Sequence, residues 1–484
     1  MAEQDWQQSR LIPTSGISGA EEAERRATSA LLAVMSAVKE FGLAITKPFG
    51  APATWLSTYV ETPFKLDGKS YRPDGLIRAS RGGKDWTCLV EVKTGNSELE
   101  AKQVEAYLDI ARENKYDCVL TISNQIPAHP GDHPLTVDKR KTKSVQLFHL
   151  SWSEIVTQAV ITRVHRGVAD PDQAWILGEL IRYLKHPKSG ASTFTDMGEQ
   201  WTSVRDAAEF GTLRISDGGL SDVLDNWERT LSALCMAFSQ ELGVDVSVVY
   251  SKKERDDVKV RRDTAKRALV DNATLSGQIR VGGAVSDISI DADLRAARLT
   301  LSVELGAPKE GRPATRVNWL VRQLKDADGS LVLSAWAAGS RSSLSEKLDV
   351  VRETPETLID DPKKELGKFR VSEVTTLGMG RRTGKNAFVD DVIGTTWKFY
   401  SEVVQTLSAW TPKAPQAPSG GRTATEAAGI DTRYSEDEYR ASTPTANESQ
   451  VGRQIYEYGG GLHRFPWGPT GYQNDENGGS ESSL

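Results

Sequence analysis

The sequence predicts an α/β protein whose first third has the element order αβββαβ, followed by a helical region, a β-rich α+β domain and a disordered tail. Three observations carry this. An amphipathic helix at 20–41 precedes three short strand-like runs. The turn signal Arg81-Gly82-Gly83-Lys84 joins the second and third of those runs. Beyond residue 272, apolar residues recur at period two. A chain of 484 residues gives room for two or three domains.

Taken in order, the helix at 20–41 sets Ala20, Ala27, Leu31, Val34, Val38 and Phe41 on one stripe, and Gly42 reads as its stop. Strands are expected at 55–65, 70–79 and 86–93, a helix at 97–113, and strands at 116–123 and 145–150. Ser153-Glu154 opens a further helix. These elements fill a first domain over 15–165. Residues 166–270 read as helical, with a proline-led helix at 171–186 and a long amphipathic one at 219–243 around Trp227, Leu234 and Phe238. A loop rich in Gly, Ser and Thr at 188–198 lies between them. Within 252–267, eight Lys and Arg face four acids, which reads as a solvated helix face rather than a track for a phosphate backbone. From 271 to 410, the runs ATLSGQIRV, AVSDISIDA and ARLTLSVEL alternate apolar with polar. A helix at 315–327 follows them, and a return to strand in LVLSAWAAG completes a module suited to recognition or oligomerisation. Residues 411–484, rich in Pro, Gly, Ser, Thr and Glu, are expected to be disordered.

Composition bounds the function. The net charge of −6 supplies no global basic field for nucleic acid, so any such attraction is local. Three cysteines, Cys88, Cys118 and Cys235, are odd in number and far apart, which argues for a reducing compartment and a cytoplasmic protein. MAEQDWQQSR has neither a basic stretch nor an apolar run, so no signal peptide is expected, and no window approaches a membrane span. Among motif-like stretches, Gly378 to Asn386 misses the spacing of a phosphate loop. Pro130 and Gly131 prevent a helix from aligning His129 with His133.

The chemistry concentrates in Pro73-Asp74-Gly75 and Glu91-Val92-Lys93. With the turn centred on Gly82-Gly83, Asp74 lies eight residues before it and Glu91 eight after. The two carboxylates then oppose each other, with side-chain carbons about 5 Å apart. Alternation puts Lys93 on the face of Glu91. Two acids and an ammonium on one face repel or need pairing unless a divalent metal joins them. Two carboxylates and a backbone carbonyl are the hard oxygen ligands Mg²⁺ or Mn²⁺ takes. Lys93 would orient water or stabilise a phosphodiester transition state.

Pro73-Asp74 followed by Glu91-Val92-Lys93 resembles the motif of the PD-(D/E)xK nuclease superfamily, and the element order over 15–165 is similar to its restriction-endonuclease-like core. The resemblance implies a metal-dependent nuclease in which Asp74, Glu91 and the Val92 carbonyl hold the metal and Lys93 positions the attacking water. Some members add an acid from the first helix; Glu24 is the candidate here, with Glu21 and Glu22 as rivals. Gln103 and Tyr107, four apart on the helix after Lys93, resemble the Gln-x-x-x-Tyr motif of bacterial recombination helicase–nucleases, where it lies beside the active site. The expected substrate is DNA, with a homo-oligomer or protein partner through the C-terminal half. The resemblance further implies a bacterial restriction or phage-defence effector. The alternative is a non-catalytic scaffold that keeps the nuclease fold.

Overall fold

The computed structural model describes residues 7–8, 20–95, 97–127, 132–191, 194–384 and 386–412. The chain divides into two units, Met1–Trp410 and Thr411–Leu484, and every element below belongs to the first. The tail expected to be disordered lies, beyond residue 412, outside the described residues, as does His129. The described residues form a mixed α/β structure of twelve α-helices and three sheets.

Helix α1 (Ala20–Ala37) runs into α2 (Lys39–Thr46) across a 110° bend at Val38. The single helix stopped by Gly42 is therefore corrected: the chain turns earlier, and Gly42 lies inside α2. A Cβ there would stand 2.3 Å from the Met35 carbonyl oxygen and 2.9 Å from Leu56 Cδ1, so this glycine serves close packing. Strand β1 (Gln7–Gln8) precedes these helices, and β2 (Leu56–Val60), β3 (Phe64–Leu66), β4 (Lys69–Tyr71), β5 (Gly75–Arg81) and β6 (Lys84–Val92) follow them. The run expected as one strand at 55–65 splits, because Glu61 takes a φ of 49° and turns the chain; β3 and β4 form their own hairpin. Helix α3 (Ala101–Glu113) crosses to β7 (Cys118–Ser123), which is followed by β8 (Gln146–Ser151) and α4 (Trp152–Val160). Ser151 caps α4 reciprocally with Glu154.

The first sheet has the order β1-β2-β5-β6-β7-β8, antiparallel up to β6 and parallel from β6 to β8. Both of its faces are covered. On one, Cys88, Val90, Val92 and Ile122 pack against Leu31, Leu32 and Met35 of α1. On the other, Leu76, Leu89 and Val119 meet Tyr107 and Leu108 of α3. Trp86 to Val92 are consequently buried without a break, as a central strand beside a parallel neighbour must be.

Helix α5 (Pro171–Leu184) gives Leu177, Leu180 and Leu184 to the core of α1. Helices α6 (Trp201–Glu209) and α7 (Leu220–Leu242) belong to a second core instead, so the region 166–270 divides between the two. Strand β9 (Val246–Val248), helices α8 (Lys252–Asp256) and α9 (Val258–Asn272), and strands β10 (Thr274–Val281), β11 (Ile288–Asp293) and β12 (Arg298–Gly306) come next. The rest are α10 (Pro313–Gln323), β13 (Val332–Ala337), β14 (Leu344–Lys347), α11 (Leu348–Glu353), β15 (Leu366–Thr376) and α12 (Phe388–Glu402). They build an antiparallel sheet of order β14-β13-β15-β12-β11-β10-β9, with α7 and α12 packed on it through Trp227, Leu231, Phe238, Phe388 and Phe399. Among the described residues no single helix is long and apolar enough to cross a membrane.

Candidate active site

Both turn glycines have positive φ, 60° at Gly82 and 78° at Gly83, as a two-residue hairpin turn with a right-handed twist requires. That turn fixes the register: Arg81 pairs with Lys84, and the last pair is Gly75 with Val90. Extended by one residue, the register sets Asp74 across from Glu91; by two, Pro73 across from Val92. Proline has no N–H to donate to Val92, so the ladder stops there. The Asp74 carboxylate replaces it, Oδ2 accepting from the Val92 N–H at 2.8 Å. In a strand the N–H and C=O of one residue point the same way. The Val92 carbonyl therefore also faces Asp74, with no ladder donor from Pro73. Gly75 completes the motif by close approach, since a Cβ would stand 2.5 Å from Leu32 Cδ1 on α1.

Lys93 emerges where β6 ends. Its N–H donates to the Ile122 carbonyl at 2.7 Å, and its own carbonyl accepts from Trp152 Nε1 at 2.9 Å, so its backbone is held from two sides. Its Nζ lies 2.8 Å from Glu91 Oε1 and donates to Glu24 Oε1 at 3.1 Å. Glu24 is thus the N-terminal acid that the fold brings to the site. Glu22 is buried and pairs with Arg26 at 3.5 Å; nothing is described of the Glu21 side chain. Glu91 is fully buried, and neither oxygen takes a well-directed hydrogen bond from a described residue, the Lys93 contact being an ion pair.

The electrostatics follow from this crowding. Burial, and then the charge of Glu91, push the Asp74 carboxyl well above the ordinary range, against the Val92 N–H and Lys93. Burial also raises Glu91, with Lys93 opposing it. Burial alone would lower Lys93, but the charges of Glu91, Asp74 and Glu24 outweigh it and hold the ammonium above its usual value. Three carboxyls thus crowd one cation in a partly dry place, and two of them, Asp74 and Glu91, are driven toward their protonated forms.

Tyr107 is buried beneath the acids, its hydroxyl accepting from Gln103 Nε2 at 3.0 Å and donating to the Arg72 carbonyl at 3.4 Å. Its phenol is raised by burial and by the nearby charge of Glu91. The structure therefore gathers Asp74, Glu91, Lys93, Glu24, Val92, Gln103 and Tyr107 at one end of β6. Sequence reasoning did not find the neighbours on the next two strands. Thr121 pairs with Glu91 in register on one side and with His149 on the other. Its hydroxyl meets His133 Nε2 at 2.8 Å and His149 Nδ1 at 2.9 Å. Burial lowers His149 to about 4 and lowers His133 as well, so both rings are neutral at neutral pH. The available signal was the alternation in Val145-Gln-Leu-Phe-His149, which puts His149 on the inward face of Leu147.

Among the described residues no group of three or more His, Cys, Asp or Glu side chains has the arrangement of a metal site. The available donors are the carboxylates of Asp74 and Glu91 and the Val92 carbonyl. Glu91, with buried oxygens lacking directed hydrogen bonds, and Asp74, pushed up beside it, present a demand for positive charge that a hard divalent cation with water ligands would meet. No protein-family model, curated protein or solved structure matches the chain.

Proposed function

We propose that the chain is a metal-dependent nuclease hydrolysing phosphodiester bonds in DNA, with a restriction-endonuclease-like core of the PD-(D/E)xK kind around β5 and β6. The observation that carries this reading is the pair of raised, facing carboxylates at the end of the hairpin with Lys93 bound between Glu91 and Glu24. A scaffold has no use for buried acids that destabilise it. Asp74, Glu91 and the Val92 carbonyl would hold Mg²⁺ or Mn²⁺, which when bound supplies charge neutralisation at a phosphodiester and a more acidic water.

The chain's own residues do the rest. Lys93, kept charged by its acids, has no lone pair to offer as a base; its task is to attract the phosphate and orient water by charge and hydrogen bonding. Glu24 shares that ammonium and sets its direction. Asp74 is held rigid by the Val92 N–H, and Tyr107 and Gln103 close the floor against water. A restriction or phage-defence setting is part of this proposal through the resemblance of the motif alone.

The test is cleavage of supercoiled plasmid, linear duplex and single-stranded DNA with Mg²⁺ or Mn²⁺, comparing wild type, Asp74→Ala and Lys93→Ala. Cutting that needs metal and is lost in both variants is the expected result. No cutting of any form, with no metal binding that Asp74→Ala removes, would leave the scaffold.

A further inference from the structure

The second sheet carries a cavity of about 460 Å³ between α7, α9 and strands β10 and β11, far along the chain from the carboxylates of β6. Its wall holds Arg261 on α9. This side chain is only 7% exposed, yet its Nε and Nη2 make no hydrogen bond to any described residue. Tyr250 stacks under the guanidinium, 4.5 Å from ring centroid to Cζ, and donates its hydroxyl to Glu228 Oε2. Glu228 lies close enough for its charge to be felt by Arg261 but forms no ion pair with it among the described residues. Asp225 is taken by Arg262 at the rim, at 3.2 Å.

An arginine is rarely buried without partners, because a charged donor taken out of water with nothing to replace it is strongly disfavoured. The two open nitrogens are, moreover, those of one edge of the fork. Nε–H and Nη2–H point in parallel and together match two oxygens of one carboxylate or phosphate. The same edge is used elsewhere in this chain: Arg280 presents Nε and Nη2 to both oxygens of Asp287, each at 2.7 Å, and Arg381 presents them to Asp196. At Arg261 that edge has no oxyanion.

We infer that this cavity is a binding site for a small molecule bearing an oxyanion, phosphate or carboxylate, taken edge-on by Arg261. The volume exceeds a bare anion and suits a small metabolite. The Tyr250–Glu228 pair supplies an acceptor for its hydroxyl or amino groups. Tyr250 holds the guanidinium plane in place so that the fork is preorganised before the ligand arrives. The site stands apart from the nuclease reading and survives its failure.

The test uses the full chain with inorganic phosphate and, in a second arm, acetate, each against chloride at equal ionic strength. Thermal unfolding and titration calorimetry give the readouts. At least one anion is expected to bind wild type saturably and raise its Tm. Arg261→Met is expected to lose that response, while Arg267→Met, which removes the same charge from an exposed position of α9, keeps it. Arg261→Lys retains charge and stem but not the two-donor edge, and is expected to bind about tenfold more weakly. It decides the matter should Arg261→Met not fold. The arm that responds identifies phosphate or carboxylate. Equal responses in wild type and the Arg261 variants, or no saturable response to either anion, overturn the inference.

Discussion

Lys93→Met isolates what the ammonium does for the fold. In the wild type, Nζ lies 2.8 Å from an oxygen of Glu91, a carboxylate with 1% of its side chain exposed. At an effective dielectric of ~20, that separation corresponds to an attraction of about 6 kcal/mol, an upper figure that the cost of burying both charges offsets. When the ammonium is removed, Glu91 has a cheaper escape, which is to take a proton. At pH 7 this costs about 1.4 kcal/mol for each pH unit above its ordinary 4.5, so the loss is capped at about 3 kcal/mol. The sign of the pH dependence follows. A carboxyl whose folded pKa is raised holds protons more tightly folded than unfolded, so its variant loses stability as pH climbs above 4.5 and regains it on acidification. Denaturant unfolding of both proteins between pH 4.5 and 8 measures the difference. The expected deficit is up to about 3 kcal/mol at pH 7, shrinking toward zero near pH 4.5. Adding Glu91→Gln should remove most of it. A deficit independent of pH would reduce Lys93 to a packing role and refute the charge argument.

Two further perturbations probe the scaffold. Gly42→Ala sets helix propensity, which favours alanine by about 1 kcal/mol, against a Cβ 2.3 Å from the Met35 carbonyl oxygen. The collision with backbone wins, and urea unfolding is expected to show a net loss of about 1–3 kcal/mol; a gain in stability would contradict the packing described for α2. His149, lowered by burial to about 4 from 6.5, stays neutral when folded and charges when unfolded, so its contribution is complete above pH 6.5 and is lost as pH falls toward 4. His149→Gln should flatten the stability profile in that window; the wild-type imidazole resonance that this substitution removes belongs to His149, and its titrating near 6.5 would sink the idea.

The hairpin was legible because symmetry about Gly82-Gly83 determines every pair out to Gly75 and Val90, whatever the side chains are. Asp74, Glu91 and Lys93 needed nothing more to be placed near one another. What alternation did not reveal was the second buried face: the acids lie among Leu76, Leu89 and Tyr107, not on a solvated surface. Thr121 and the two histidines escaped for a related reason. Parallel pairing of β6, β7 and β8 passes through a helix and a long loop, so no turn reports its register. Gly42 could be read as a stop or as a contact, and only the approach of Met35 and Leu56 chooses. The apolar stripe of α5 likewise suits either core, and its assignment to the first rests on contacts with α1 and α4 that a linear pattern does not contain.

Helix α7 has a consequence for how the molecule comes apart. One of its faces gives Trp227, Leu231 and Phe238 to the second sheet, while Arg229 Nε donates to the Ile126 carbonyl just past β7, and Gln240 Nε2 donates to Thr157 of α4 at 2.9 Å. Melting the second sheet would strip this helix of its apolar partners, and melting the first would open the Arg229 and Gln240 contacts. Loss of one sheet is thereby expected to weaken the other, and Glu228 of the cavity sits on the same helix whose Arg229 reaches the loop after β7.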